Sequence, residues 1–498
     1  MPTLLLVSAF AVATCGLVYE LLAGTLASYL LGDSVTQFST IIGTYLFAMG
    51  AGSWATRYIE DELLAAFARI EVVVGLVGGC SVLLLFWLYG EVVHFRVALY
   101  AVVFVIGALV GAEIPLLLRI LNAQFEFRDV IARVFAADYV GALLASLLFP
   151  LLLVPQLGLV RTSFLFGALN VAVAIVLLWR LPARPAVLAT RVLALAGLVG
   201  LGIGFALGDR AQAFAEAAQY PGQVIYASST PYQRVVLTSV GGEVELFLNG
   251  NLQFSGRDEY RYHEALVHPA MTAVATPRRV LILGGGDGLA AREVLRYPGV
   301  EHVQLVDLDA GVTALFQRTP WLARLNAGSL NSPKLKVTNA DAFLWLREAR
   351  ERFDVIIIDF PDPSNYSVGK LYTTSFYREV ARVLEPGGVV VVQATSPFVA
   401  RKAYWCVVRT LDAEGFATRP YHALVPSFGD WGFVLATRTP WRDPGPLPAG
   451  LRFLDEPTRA ALYAFPPDSR RVDVQPNRLN DQVLVRYFEE EWSRYLGS

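Results

Sequence analysis

Acidic residues recur at the ends of short apolar runs in the second half of this 498-residue chain, a spacing suited to a pocket for hydroxyls and cations. Asp287 stands in the turn Gly284-Gly285-Gly286-Asp287-Gly288, directly after the run 279–283. Asp307 follows the run 302–306, Asp341 follows 335–338, and Asp359 follows 353–358 and opens Asp359-Phe360-Pro361-Asp362-Pro363. An acid closing the second strand of a nucleotide-binding unit accepts both ribose hydroxyls, the place Asp307 would fill. Asp341 is then positioned to hold an adenine amine. Any one of these acids reads equally well as a helix N-cap or a turn residue. Four in succession, each at a strand end, do not.

The elements that must position them are legible from composition and punctuation. The run 279–283 is apolar enough for a buried parallel strand, the glycines after it make a tight turn, and 289–297 reads as a helix. Glycine lets backbone approach a ligand with no Cβ in the way, and a helix N-terminus offers free N–H groups. Strands and helices alternate from there, with 388–392 as a further strand ending before Gln393. The pattern predicts an α/β Rossmann-like domain, whose ligands bind outside the carboxyl ends of its strands. Ahead of it, 234–239 and 243–248 flank Gly241-Gly242 and read as a small β-hairpin.

The first half has another character. Hydrophobic residues make up 55% of the chain and charged ones 17%, and 21 charged residues lie in 1–208 against 63 in 209–498. Windows of about 20 apolar residues, enough to cross about 30 Å of hydrocarbon, lie near 3–29, 38–56, 69–90, 97–118, 133–154, 160–179 and 190–208. The expected plan is an α-helical transmembrane bundle of about seven spans over 1–208 and a linker over 209–222. A catalytic domain follows over 223–440, with its β region at 223–276. A loop-rich extension over 441–498 ends in a helix near 481–495. Met1-Pro2-Thr3 carries no positive segment, so the first run reads as a retained span rather than a cleaved leader. The lipid bilayer is thus an expected partner, and a multi-pass place in the cell membrane the expected location. Nucleic acid is not expected, because a net charge of −2 leaves no basic excess for phosphates. Cys15, Cys80 and Cys406 are too scattered for a disulfide framework or a metal site.

Glu20, Glu113 and Asp138 fall inside apolar runs, where charge is expensive. Either each pairs with an arginine, such as Arg119 for Glu113, and the half is an anchor, or they line a path for cations. The pairs Gly75/Gly79, Gly107/Gly111 and Gly200/Gly204 allow close helix packing and nothing more. A homo-oligomer stays open.

Over roughly 223–440 the chain resembles the spermidine synthase family of aminopropyltransferases, whose catalytic domain is Rossmann-like and of methyltransferase type. The likeness rests on Tyr232-Gln233, Asn249-Gly250-Asn251-Leu252-Gln253, Asp258-Glu259-Tyr260-Arg261-Tyr262-His263-Glu264, the glycine turn, the Asp359 to Pro363 segment and Leu371-Tyr372-Thr373. The first half is similar, by composition and span number, to the N-terminal region of membrane-bound members. The resemblance implies transfer of an aminopropyl group from decarboxylated S-adenosylmethionine to an amine, putrescine by default, with release of methylthioadenosine. It implies no metal and no other cofactor. Gln233, Gln253 and His263 would touch the nucleoside co-substrate, with Asp307 on its ribose and Asp341 near the adenine. Asp287 would attract the ammonium of the decarboxylated donor and repel the carboxylate of S-adenosylmethionine. Asp359 is the expected base, Asp362 a holder of acceptor ammonium, Tyr262 an orienting hydroxyl, and Gln393 a further pocket residue. Phe428 stands where a substrate-binding Tyr is usual, and Asn249 where Asp is common, so the acceptor pocket departs from the family pattern.

Arginines cluster in alternate loops of the first half, and seven spans with those loops inside would put the second half outside. A cytosolic donor argues instead for a cytoplasmic catalytic domain, and the run 3–29 is where the span count is weakest. A methyltransferase is the alternative enzyme. A sensing domain on a transporter-like membrane half is the alternative without catalysis.

Overall fold

A computed structural model describes residues 2–31, 34–92, 94–122, 127–217 and 220–496. The chain forms two compact units, Met1–Gln233 and Arg234–Ser498.

The first unit is helical: α1 (Pro2–Leu31), α2 (Ser34–Ala55), α3 (Leu63–Glu91), α4 (Phe95–Gly111), α5 (Glu113–Asn122), α6 (Phe127–Leu148), α7 (Val154–Leu178) and α8 (Pro185–Ala217), then the strand β1 (Gln223–Ser229). Among the described residues five runs are long and apolar enough to cross a membrane: Leu4–Leu31, Leu63–Tyr89, Phe95–Asn122, Arg128–Leu178 and Pro185–Gly208. The count of seven differs for two reasons. The expected span 38–56 falls on α2, which Gln37 and a series of Ser and Thr make less apolar and which is not among the five. The expected spans 133–154 and 160–179 share one 51-residue run. That run passes through a π turn at Phe149–Leu153 and bends at Gly158, whose φ of 71° and ψ of 178° are not helical.

The expected linker over 209–222 is largely helix, since α8 continues to Ala217, and its residues 218–219 lie outside the described residues. Of the small-residue pairs, Gly75 and Gly79 pack on Gly167 and Gly111 packs on Met49. Gly200 faces open space, whereas Gly204 packs on Phe164 of α7.

In the second unit β2 (Arg234–Val240), β3 (Glu243–Leu248) and β4 (Asn251–Ser255) pair antiparallel in sequence order. Asn249 and Gly250 both take positive φ, 49° and 79°, and turn β3 into β4. The hairpin expected across Gly241-Gly242 is thus part of a larger sheet. Helix α9 (Glu259–Thr272) leads to β5 (Arg279–Gly284), α10 (Leu289–Val294), β6 (His302–Asp307), β7 (Leu335–Asn339), β8 (Phe353–Asp359), β9 (Leu384–Gln393), β10 (Ala417–Val425) and β11 (Gly429–Thr437). The main sheet has the order β10-β11-β9-β8-β5-β6-β7, parallel from β7 to β9 and antiparallel at β11 and β10. Both faces are buried. Val280 and Ile282 point into one core while Leu281 and Leu283 point into the other, which is why the strands read as unbroken apolar runs.

The tail after 440, loop-rich and ending in a helix, packs against the sheet. Leu451, Phe453 and Leu454 pack on one core of the sheet, and Val483 and Leu484 of the final helix Val483–Leu496 on the other. The buried Glu264 carboxylate accepts the backbone N–H groups of Arg452, Phe453 and Leu454 at 2.8–2.9 Å, which fixes the tail to α9.

Candidate active site

The chain runs outward from β5 to β6 and β7, then returns to place β8 on the other side of β5. Such a reversal opens a crevice at the carboxyl ends of the two central strands. Gly284 at the end of β5 is in register with Asp359 at the end of β8. The glycine turn and the Asp359 segment therefore meet at the crevice. Gly284 has φ of 85°, and a Cβ there would collide with the Asp359 carbonyl oxygen. A Cβ on Gly286 would lie 2.8 Å from the Asp307 carboxyl. Asp287 Oδ1 accepts the Leu289 N–H at 2.9 Å, in the first turn of α10.

From the other side α9 contributes Tyr262 and His263. The Tyr262 hydroxyl donates to Asp359 Oδ1 at 2.6 Å. His263 Nδ1 lies 2.9 Å from Glu259 Oε2, and Glu259 in turn takes both terminal nitrogens of Arg292 at 2.9 Å. Arg292 Nε donates to Glu293 at 2.8 Å, and Glu293 meets His268 at 3.1 Å. A buried row of alternating charge thus stands behind His263.

Burial and like charge set the acidities. Burial pushes the Asp359 carboxyl up to about 6, aided by the charge of Asp287 and opposed by His263 and the Tyr262 hydroxyl. Burial pushes Asp362 up to about 7, against hydrogen bonds from Gln393 and Thr395. Asp307 rises to about 6 through burial and the charges of Asp309 and Asp287, although the N–H groups of Asp309 (2.8 Å) and Gly286 (3.1 Å) favour its ionised form. Asp287 is raised by burial. Burial alone would lower His263, but contact with Glu259 outweighs it and the imidazole is held above its ordinary value.

The third wall follows β9. Gln393 Nε2 donates to the Phe360 carbonyl at 2.6 Å and approaches Asp362 Oδ1 at 3.4 Å, while its Oε1 accepts from Trp431 Nε1 at 3.1 Å and Thr395 N at 3.2 Å. Both ends of Gln393 are engaged within the protein. Thr395 Oγ1 donates to Asp362 Oδ2 at 3.2 Å, from a backbone with φ of 59°. A fully buried β-branched residue in that region is strained. Phe428 stacks its edge near Tyr262 (6.0 Å between centroids) and lies against Trp431 (5.1 Å). Tyr262, Asp287, Asp307, Asp359, Asp362, His263, Gln393 and Phe428 are thus joined by register, bonds or field at one end of the sheet.

Other expected residues make local contacts. Asp341 Oδ1 caps the helix Ala342–Glu348 through Phe343 N and Leu344 N, and its Oδ2 pairs with Lys370 at 2.6 Å. Gln253 Nε2 bonds the carbonyls of Asn251 and Leu252 at 3.2 and 3.4 Å. Gln233, the last residue of the first unit, has its backbone N–H on Thr230 Oγ1 at 3.1 Å. Sequence reasoning gave no role to Glu259, Arg292, Tyr372, Thr395 or Trp431. Glu259 and Tyr372 lie in segments that carry the resemblance, and Glu259 also stands four residues before His263 on a helix.

The spermine/spermidine synthase domain model matches residues 259–441. A protein of Leptospira interrogans named polyamine aminopropyltransferase is 50% identical over 100% of both chains. One of Ralstonia nicotianae named polyamine aminopropyltransferase 2 is 54% identical over 98% of each, and one of Streptomyces coelicolor is 44% identical over 99% of this chain and 95% of its own. A solved spermidine synthase in complex with the transition state analogue AdoDATO is 29% identical and covers 49% of this chain and 86% of that one, with a TM-score of 0.46. On the full-length identities, this chain belongs to the polyamine aminopropyltransferases of the spermidine synthase family.

Proposed function

We propose that this enzyme moves the aminopropyl group of decarboxylated S-adenosylmethionine to a di- or polyamine, putrescine by default, from a domain attached to the cell membrane and facing the cytoplasm. The observation that carries the reading is the acidic crevice: Asp287, Asp359 and Asp362 share it, while the cations acting on these acids, His263 on Asp287 and Asp359 and Arg292 on Asp287, are both held by Glu259. Donor sulfonium and acceptor ammonium are both cations, and an acidic pocket lowers the cost of bringing them together.

In this reading Asp287 takes the ammonium of the donor. Unit charges at about 4 Å with an effective dielectric near 20 interact by roughly 4 kcal/mol, attractive for the decarboxylated donor and repulsive for a carboxylate. The acceptor nitrogen is protonated in water, and Asp359, raised to about 6, takes that proton. The free lone pair attacks the methylene beside sulfur, the carbon–sulfur bond breaks with its electrons going to sulfur, and methylthioadenosine leaves. The Tyr262 hydroxyl holds the Asp359 carboxylate for this step. Asp362 draws in an ammonium of the acceptor. Asp307 keeps acceptor capacity for the ribose diol beyond its two backbone bonds. Asp341, Gln233 and Gln253 serve the nucleoside if their local bonds exchange on binding. Gln393 acts by holding Asp362 and the Phe360 carbonyl in place. The five apolar runs support a bilayer location. In this reading the bundle anchors the enzyme, and 223–440 carries the catalysis, with the later residues bracing it.

The test is methylthioadenosine release from decarboxylated S-adenosylmethionine with a panel of amines, run beside ordinary S-adenosylmethionine. Release with the decarboxylated donor is expected. S-adenosylhomocysteine from the ordinary donor would make the protein a methyltransferase, and no turnover of either donor with any amine would make it a sensor.

A further inference from the structure

Glu71 and Glu113 meet inside the apolar helical unit, far in sequence from any residue the reaction uses. Glu71 lies on α3 and Glu113 opens α5; they are 0% and 2% exposed and close enough to interact directly. Among the described residues no arginine neutralises either: Arg119 Nη1 donates to the Thr56 carbonyl at 3.0 Å, and both oxygens of Glu71 and Oε1 of Glu113 have no hydrogen-bond partner other than each other.

Two more polar groups of the helical unit are equally buried and unsatisfied among the described residues. The Tyr19 hydroxyl of α1, in a side chain 2% exposed, has no partner and lies in the electrostatic field of both carboxyls. Asn170 of α7, 1% exposed, has neither amide atom bonded. Helices α3 and α7 run antiparallel, with Gly79 on Ser163 and Gly167, and Gly75 on Gly167 and Val171. Asn170, next to Val171, therefore stands level with Gly75, one turn from Glu71. Buried polar atoms are nearly always bonded, and a buried carboxylate is costly until a cation neutralises it. The neighbouring Tyr45 hydroxyl is already used, donating to the Gly16 carbonyl at 2.8 Å. What is left from α1, α3, α5 and α7 is rich in acceptors, the complement of a primary ammonium with its three N–H donors. The half-buried Asp138 and Glu20 lie within the field of Glu113 and Tyr45 respectively.

We infer that Glu71 and Glu113, with Tyr19 and Asn170, form a second amine site that takes an alkylammonium end of a di- or polyamine within the helical unit. The choice of an amine rests on the aminopropyl-transfer reading, in which such amines are acceptor and product.

The test is the number of radiolabelled spermidine molecules bound per full-length chain in lipid nanodiscs by equilibrium dialysis, with methylthioadenosine release measured on the same preparation. Wild type is expected to bind two. Glu71→Gln/Glu113→Gln is expected to bind one and to keep turnover within about twofold of wild type, because it leaves the crevice untouched. Asp359→Asn/Asp362→Asn is expected to keep the membrane-unit amine while turnover is lost, which answers the question even where the glutamate variant fails to fold. A single spermidine per wild-type chain that vanishes in Asp359→Asn/Asp362→Asn overturns the second site, as does a folded Glu71→Gln/Glu113→Gln chain that still binds two. Failure of the aminopropyl reading shows separately, as no methylthioadenosine release whatever the amine count.

Discussion

The Tyr262 hydroxyl donates to Asp359 Oδ1 at 2.6 Å, joining residues 97 positions apart across the crevice at the centre of the sheet. The bond favours the ionised carboxylate, so it works against the burial that raises Asp359. Tyr262→Phe removes it. The Asp359 carboxyl should then rise beyond about 6, and the acid limb of the kcat profile should move to higher pH, with kcat near neutrality down about tenfold. An unmoved limb would show that Tyr262 does not act through Asp359.

Activity should fall as pH drops through 7 and then 6, where Asp362 and Asp359 take up protons. Protonated, one no longer attracts the acceptor ammonium and the other no longer accepts its proton. A cationic acceptor makes both carboxyls stronger acids on binding, so acceptor binding near pH 6.5, between about 6 and about 7, should release protons. Calorimetry in buffers of different ionisation enthalpy measures this directly.

Stability should run the other way. An unfolded Asp titrates at about 3.9, whereas Asp359 titrates at about 6 in the fold. The folded state therefore holds more protons between these values, and the unliganded enzyme loses stability as pH rises through that window. Asp359→Asn keeps an acceptor for the Tyr262 hydroxyl and removes the buried charge. It should raise Tm at pH 8 while abolishing turnover, and a lowered Tm would contradict the assignment of burial as the dominant cause.

Asp287→Asn should cost two to three orders of magnitude in kcat/KM for decarboxylated S-adenosylmethionine, the scale of a roughly 4 kcal/mol charge interaction partly screened. It should at the same time improve binding of ordinary S-adenosylmethionine. Equal loss with both donors would remove Asp287 from donor selection.

Gly286→Ala places a Cβ 2.8 Å from the Asp307 carboxyl. The carboxyl must turn away, so the donor KM should rise at least about tenfold, the effect of losing one charge-assisted bond. The acceptor KM should stay unchanged, and steady-state kinetics with each substrate varied separates the two.

The strands that carry the acids were legible because a sheet buried on both faces needs unbroken apolar runs, and the turn was legible because Gly284 adopts a φ few other residues tolerate. Asp341 shows the limit of that reading, for residue order does not tell that this strand-end acid caps a helix and pairs with Lys370. Thr395 and Trp431 left no pattern, since their meeting with Asp362 and Gln393 depends on antiparallel β11 folding beside β9. Glu71 was hidden for a related reason. One acid in an apolar run looks like any other until helix packing brings a second beside it.

Residue order alone determined that the chain has an apolar half and an acid-lined α/β half, because apolar length, glycine turns and strand-end carboxylates are local properties. Only the tertiary structure decided which of those carboxylates share a field, how far burial raises them, and which side chains stand behind them. Acidity and hydrogen bonding depend on distance through space and on the loss of water, and neither is set until the strands are in register.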